Sequence, residues 1–212
     1  MTIVITGAGR GIGAGLAQAY GARDEKVIGT TRSGDWPLQV TDPQSHAAFS
    51  TQLSGQPVDL LVCNAGVYLD KGEGLDEGYD PVIWADSFAT NVTGVFLTVQ
   101  SLLPNLRAAK AGRIAIISST MASSERAPGG SYIYRSSKAA VLNLGRNLAT
   151  DLQSEGIAVG IYHPGWVVTD MGGGAADISI AESVSGLMER FDALTMDRTG
   201  VFENWNGQPH AY

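Results

Sequence analysis

Short runs of consecutive Val, Ile and Leu alternate along this chain with longer segments whose apolar residues recur every three or four positions. The short runs predict strands at Thr2–Thr6, Lys26–Thr31, Leu38–Val40, Leu60–Cys63, Arg113–Ser118, Ala158–Tyr162 and Val201–Glu203. Several are apolar at nearly every position, as parallel strands covered on both faces require. The helical spacing predicts helices near Gly11–Arg23, Pro43–Leu53, Pro81–Arg107, Ser131–Ser154 and Ile180–Leu194. Such alternation predicts an α/β fold: a doubly wound parallel sheet of about seven strands. One crossover is too short for a helix. Only Ser33-Gly34-Asp35-Trp36-Pro37 separate the second and third strands, and both Gly34 and Pro37 oppose one. At 212 residues the chain is read as one domain, 1–212, without room for a separate substrate domain.

Composition narrows the partners. Hydrophobic residues make up 44% and charged residues 17%, the balance of a folded domain, and the net charge of −7 offers no basic footprint for nucleic acid or anionic lipid. The lone Cys63 excludes an intramolecular disulfide and sits in an apolar run, so a buried, inert thiol in a reducing compartment is expected. With no charged leader before Thr2–Thr6, that compartment is expected to be the cytoplasm. No stretch approaches the roughly 18–20 apolar residues of a bilayer span, so no membrane partner is expected.

The first strand runs through Thr6-Gly7-Ala8-Gly9-Arg10-Gly11-Ile12-Gly13 into a helical pattern. Glycines allow the tight turn and let backbone N–H groups reach a pyrophosphate at the helix N-terminus. A glycine turn alone is common. At a strand–turn–helix junction opening an α/β chain it reads as a Rossmann-type nucleotide site, although Ile12 stands where G-x-G-x-x-G has its last glycine. A carboxylate at the end of the second strand would bind the ribose 2′-OH of NAD; here the strand ends Thr30-Thr31-Arg32. Arg32, with Arg10 from the loop, suits the 2′-phosphate of NADP(H). Each arginine alone reads as a solvated surface charge, and Asp35 lies near enough to act as a ribose ligand instead.

Tyr134 and Lys138 stand four residues apart in a helical pattern, on one face. Reduction of a ketone needs a proton donor beside the carbonyl oxygen, and a neighbouring ammonium is expected to lower the Tyr pKa from about 10. The spacing alone occurs often by chance. Upstream, however, Ile117-Ser118-Ser119 closes one strand, Asn64-Ala65-Gly66 closes another, and Asn91 lies in the following helix.

In this order the motifs resemble the short-chain dehydrogenase/reductase family over essentially the whole chain. The marks are the Thr6–Gly13 loop, Asn64-Ala65-Gly66, the Asn91/Ser119/Tyr134/Lys138 set and Pro164-Gly165. The segments Gly129–Lys138, His163–Gly172 and Phe202–Gly207 are similar to the C-factor and sniffer-type carbonyl reductases. The resemblance implies Tyr134 as acid/base and Lys138 on the nicotinamide ribose. It gives Ser119 the substrate oxygen and Asn91 a proton-relay water. Cofactor contacts would come from Gly7, Gly9, Arg10, Gly11, Ile12, Gly13, Arg32, Val40, Asn64, Ala65, Gly66, Pro164 and Gly165. Val167 and Thr169 would hold the carboxamide. The Ser119–Tyr134 spacing is longer than usual, which leaves Ser118 open as a substitute, and Gln39 stands where an acid would contact the adenine.

The function implied is NADP(H)-dependent hydride transfer between the nicotinamide and a small carbonyl or secondary alcohol. The alternative is a catalytically silent nucleotide-binding signalling or sensor protein, which would not need Tyr134 and Lys138. His46, His163 and His210 lack metal-ligand spacing, and no G-x-S-x-G elbow marks a serine hydrolase. A sugar-nucleotide epimerase would need a larger C-terminal domain. Among the aromatics, Tyr68 and Trp166 are expected to wall a pocket, with Trp84 and Tyr132 in packing roles. Specificity is expected to reside in Met171–Leu194, whose small apolar start fits an uncharged substrate, and Gly172–Leu194 is expected to close over it as a lid. The two long helices are expected to pair in a homodimer or homotetramer.

Overall fold

The computed structural model describes residues 1–174 and 176–212. Six parallel strands form one sheet in the order β2-β1-β3-β4-β5-β6, with β1 Thr2–Thr6, β2 Lys26–Thr30, β3 Leu60–Cys63, β4 Arg113–Ile117, β5 Ala158–His163 and β6 Phe202–Asn204. Alternate residues of each strand feed opposite faces. Val4, Leu61, Cys63, Ile114 and Ile116 pack under α2 (Pro43–Gln52), α4 (Gly94–Arg107) and α5 (Tyr132–Asp151). Ile3, Ile5, Leu60, Val62 and Ile117 pack under α1 (Gly11–Gly21) and α6 (Ile180–Asp192). Because both faces are covered, the central strands carry no polar side, which explains their uninterrupted apolar runs. Cys63 is buried there, and burial pushes its thiol up to about 12.

The seventh strand expected at Leu38–Val40 does not form, so the sheet has six strands. The segment touches the sheet edge at a single bridge, Thr31 to Pro37, backed by the Leu38 N–H donating to the Thr31 carbonyl at 2.7 Å. Pro37 has no N–H to give a ladder, and the Asp42 N–H turns back onto the Gln39 carbonyl at 2.9 Å, so the chain leaves after one contact. Leu38 is buried in the core and Val40 packs against it from the side.

The helix expected at Pro81–Arg107 is continuous but changes pitch. α3 (Pro81–Phe88) passes through a π-helical turn at Ala89–Thr93 before α4. By length and composition this stretch could cross a membrane, which corrects the expectation that none approaches that measure. Its scattered polar residues disguise its mean hydropathy in the sequence. In the fold, Val95, Val99, Leu102 and Leu106 pack into the core. Within the Gly172–Leu194 segment, the helix expected from Ile180 forms. Ser179 and Glu182 form a reciprocal capping box that starts α6, and Val184, Leu187, Met188 and Phe191 are buried in the core. Only the stretch before Ser179 is loop; Ala175 within it lies outside the described residues.

Candidate active site

Chain order reverses between β1 and β3, where α/β sheets open a crevice at their carboxyl ends. Thr6 ties the two strand ends together: its Oγ1 accepts the Asn64 and Ala65 N–H groups at 3.0 and 3.1 Å. The Asn64 amide then donates to the Thr6 and Gly7 carbonyls at 2.9 and 3.2 Å. Gly7 and Gly11 take positive φ of 69° and 57°, and a Cβ on Gly13 would collide with the Gly7 carbonyl and the Asn64 amide. The glycines thus permit the α1 N-terminus to lie close behind β1. No side chain caps that terminus and no acid occupies its first turn, so its N–H groups present positive potential to the crevice.

On the other side of the crevice, Asn91 sits in the π-turn with its side chain fully used. Its amide donates to the Val67 carbonyl and to Ser137 Oγ, both at 2.9 Å, and its Oδ1 accepts the Val67 N–H at 2.8 Å. The wider turn carries Asn91 toward the strand-end loop. Ser137 donates in turn to the Tyr134 carbonyl at 2.9 Å. This network locks the loop after β3 to the start of α5.

Tyr134 and Lys138 share the buried face of α5. Tyr134 stacks on Tyr68 with ring centroids 4.2 Å apart. Burial pushes its pKa up to about 12; a hydrogen bond with Ser119 pulls it down, while Tyr68 and Asp70 push it up. Lys138 is not a cause, contrary to the expected lowering. Its Nζ donates to the Ile117 carbonyl at 3.0 Å and lies 5.7 Å from the Tyr134 ring centroid, above the ring. Burial brings the Lys138 pKa down to about 8. Ser118 is buried and its hydroxyl donates to the Lys138 carbonyl at 3.0 Å, leaving Ser119 as the hydroxyl that meets Tyr134.

A cleft of about 700 Å³ opens above these groups. Tyr68 and Trp166 wall it, whereas Trp84 stacks on Phe88 and Tyr132 packs edge-on to Tyr79.

The sequence profile described as short chain dehydrogenase matches residues 1–177. The chain belongs to the short-chain dehydrogenase family. It is 38% identical over 164 residues to the C-signal protein of Myxococcus xanthus, covering 76% of this chain and 96% of that protein. An NADPH-bound carbonyl reductase from chicken fatty liver superposes with a TM-score of 0.91 at 30% identity, covering 100% of this chain and 98% of the other. The carbonyl reductase Sniffer of D. melanogaster gives 0.90 at 26% identity, covering 100% and 99%.

Within this dehydrogenase fold, Ile12, Ser119, Tyr134, Pro164, Gly165, Val167 and Thr169 border the cleft, and Lys138 is buried with its Nζ over the Tyr134 ring. A Cβ at Gly66 would stand 3.2 Å from Asn91 Oδ1 and 3.4 Å from Lys138 Nζ, so the strand-end glycine gives both room. Thr169 reaches the Thr6–Gly13 loop, its methyl 3.6 Å from where a Gly11 Cβ would be; its Oγ1 also accepts the Gly172 N–H at 3.0 Å. Arg10 meets Asp170 at 2.5 Å, both largely exposed. Gly9 lies against Thr31. Arg32 stands exposed just past β2, and half-buried Val40 packs against the core, its carbonyl in contact with His46. Neither borders the cleft. Gln39 is exposed, its amide donating to Thr41 Oγ1 at 3.1 Å.

Several residues escaped the sequence reading. Asp70 is completely buried and accepts the Ile133 N–H at 2.9 Å and the Tyr134 N–H at 3.2 Å, supplying the N-cap that Ser131 does not. Nothing in its sequence context marks it, because the cap comes from more than sixty residues away. His163 lines the cleft with its Nδ1 sealed from solvent and unpartnered; burial, then His210, Arg126 and Lys138, bring its pKa down to about 3. Asn204, Trp205, Asn206 and His210 close the far wall.

Proposed function

We propose that this protein is an NADP(H)-dependent carbonyl reductase, reversible toward the secondary alcohol, with Tyr134 as acid/base. The observation that carries the reading is that Ser119 and Tyr134 line one cleft together, with the buried Lys138 holding its Nζ over the Tyr134 ring. The NADPH-bound reductase at 30% identity supports the cofactor. The uncapped α1 N-terminus fits a pyrophosphate, and Arg32 beyond β2 fits a 2′-phosphate. When bound, NADPH supplies the hydride that reaches the carbonyl carbon.

The protein's own groups handle the oxygen. Ser119 donates a hydrogen bond to the carbonyl oxygen and holds it beside Tyr134. As negative charge develops there, the Tyr134 hydroxyl gives it a proton, and the phenolate left behind keeps the Ser119 hydrogen bond that favours it. With its pKa pushed up to about 12, Tyr134 is protonated at neutral pH. That state serves reduction; alcohol oxidation needs the phenolate and gains as pH rises. Asn91 and Asp70 fix the frame in which Tyr134 sits.

Tyr134→Phe tests the reading, since it keeps the ring and removes the proton donor. Turnover of ketones should fall by about 10²–10⁴-fold, while NADPH binding, followed by fluorescence titration, stays intact. Near wild-type reduction by the Phe variant would overturn it. The similarity to the C-signal protein favours a second reading, a nucleotide-binding signalling protein. Under that reading the wild type binds NADPH but oxidises none of it with any ketone.

A further inference from the structure

The larger cleft continues into a second cavity of about 340 Å³, and the two share Thr120, Met121 and Arg126 as walls. Arg135 lines the second cavity as well, with Ala127 and Pro128 completing it. The segment between the η-turn at Thr120–Ala122 and α5 builds this annex. It is the same segment that makes the Ser119–Tyr134 spacing long for the family. The extra length therefore creates a pocket with two guanidinium groups at its wall.

Charge around the annex is one-sided. Among the described residues neither Arg126 nor Arg135 joins a salt bridge. Arg135 is fixed by its Nε donating to the Gly130 carbonyl at 3.1 Å, which orients the guanidinium and leaves its terminal nitrogens for another partner. Among the described residues no acid lines the annex, and the acid that lines the larger cleft, Asp177, lies in the loop before α6. Glu125, beside Arg126 in sequence, is exposed. Arg126 is itself exposed, yet it lines both cavities, and its charge is among those that hold His163 neutral. On a chain of net charge −7, a locally basic end of the substrate cleft is a selective feature.

We infer that the substrate carries an anionic end group, a carboxylate or a phosphate, which Arg126 and Arg135 hold in the annex while its carbonyl lies at Ser119 and Tyr134. This rests on the carbonyl-reductase reading and departs from the uncharged substrate expected from the loop residues alone. Guanidinium forks match both anions in planarity and charge, and their hydrogen bonds to a charged group exceed neutral ones in strength. Anchoring the remote end spends binding energy on orienting the carbonyl.

Two measurements decide it. In the first, calorimetry on protein saturated with NADP⁺ compares hexanoate, hexyl phosphate and hexanamide, each with wild type, Arg126→Gln, Arg135→Gln and the double variant. One or both anions should bind at least about tenfold more tightly than the amide, and the double variant should lose that advantage. Whichever anion wins names the end group. In the second, NADPH oxidation with 5-oxohexanoate is compared with its methyl ester. The ratio of kcat/KM values should favour the acid by about tenfold or more at low salt and approach one in the double variant. Amide binding as tight as both anions, or an anion preference that survives loss of both arginines, overturns the inference. If neither ketone is reduced, the carbonyl-reductase reading fails, and calorimetry still decides the anion site.

Discussion

Replacing Lys138 by methionine is expected to stabilise the fold while abolishing turnover. Lys138 is 5% exposed, and its Nζ has one protein acceptor, the Ile117 carbonyl. Burial lowers its pKa from 10.5 to about 8, so the fold disfavours the ammonium form. The lowered pKa fixes the sign: the stability involved is present above pH 10.5 and lost as pH falls through about 8. At pH 7 the loss is complete and amounts to about 3 kcal/mol. Methionine retains the unbranched stem and carries no charge to desolvate. Urea unfolding of both proteins from pH 7 to pH 10.5 reads the difference. The variant should be more stable by about 2–3 kcal/mol at pH 7, with the gap closing as pH rises. A less stable variant at pH 7, or a gap indifferent to pH in this window, would refute the reasoning that this lysine is held against the fold's preference.

Two further outcomes follow from other parts of the site. Arg32→Asp should weaken NADPH binding by about 2–3 kcal/mol and leave NADH little changed; equal wild-type affinity for the two cofactors at physiological salt would end the 2′-phosphate assignment. His163, whose pKa burial brings from 6.5 down to about 3, contributes stability that is present above pH 6.5 and lost as pH falls toward 3. That limb has a slope of up to about 1.4 kcal/mol per pH unit, and His163→Gln should flatten it in urea titrations; an unchanged limb would assign it to other groups.

The sequence made the strand–helix alternation legible because the central strands are covered on both faces, so their apolar runs are unbroken. It misled at Leu38–Val40, where a run of the right composition follows a proline and meets a turn too soon to pair. That the Thr6–Gly13 loop, Ser119, Tyr134 and Lys138 gather at one end of the sheet was legible because each sits at a strand end or on a helix face with fixed spacing. Electrostatics were not. Whether Lys138 lowers the Tyr134 pKa depends on where its ammonium points and how deeply both are buried, and spacing along a helix carries neither. Asp70 was invisible, and so was the place of His163 and of Asn204–His210 on the cleft, because their neighbours are remote in sequence. The helix from Ile180 was legible within Gly172–Leu194, and the Ser179–Glu182 box marks where it begins.

The π-turn at Ala89–Thr93 inserts a phase slip into a helix that otherwise runs from Pro81 to Arg107. Side chains before and after it therefore belong to two angular registers, and no single helical wheel describes both. Excising one residue from the turn would restore a uniform helix and rotate α3 relative to α4 by about 100°. Asn91 could then no longer bridge Val67 and Ser137, even with every named side chain still present in the sequence. For anyone grafting or aligning this region, the count of residues across the turn matters as much as their identity.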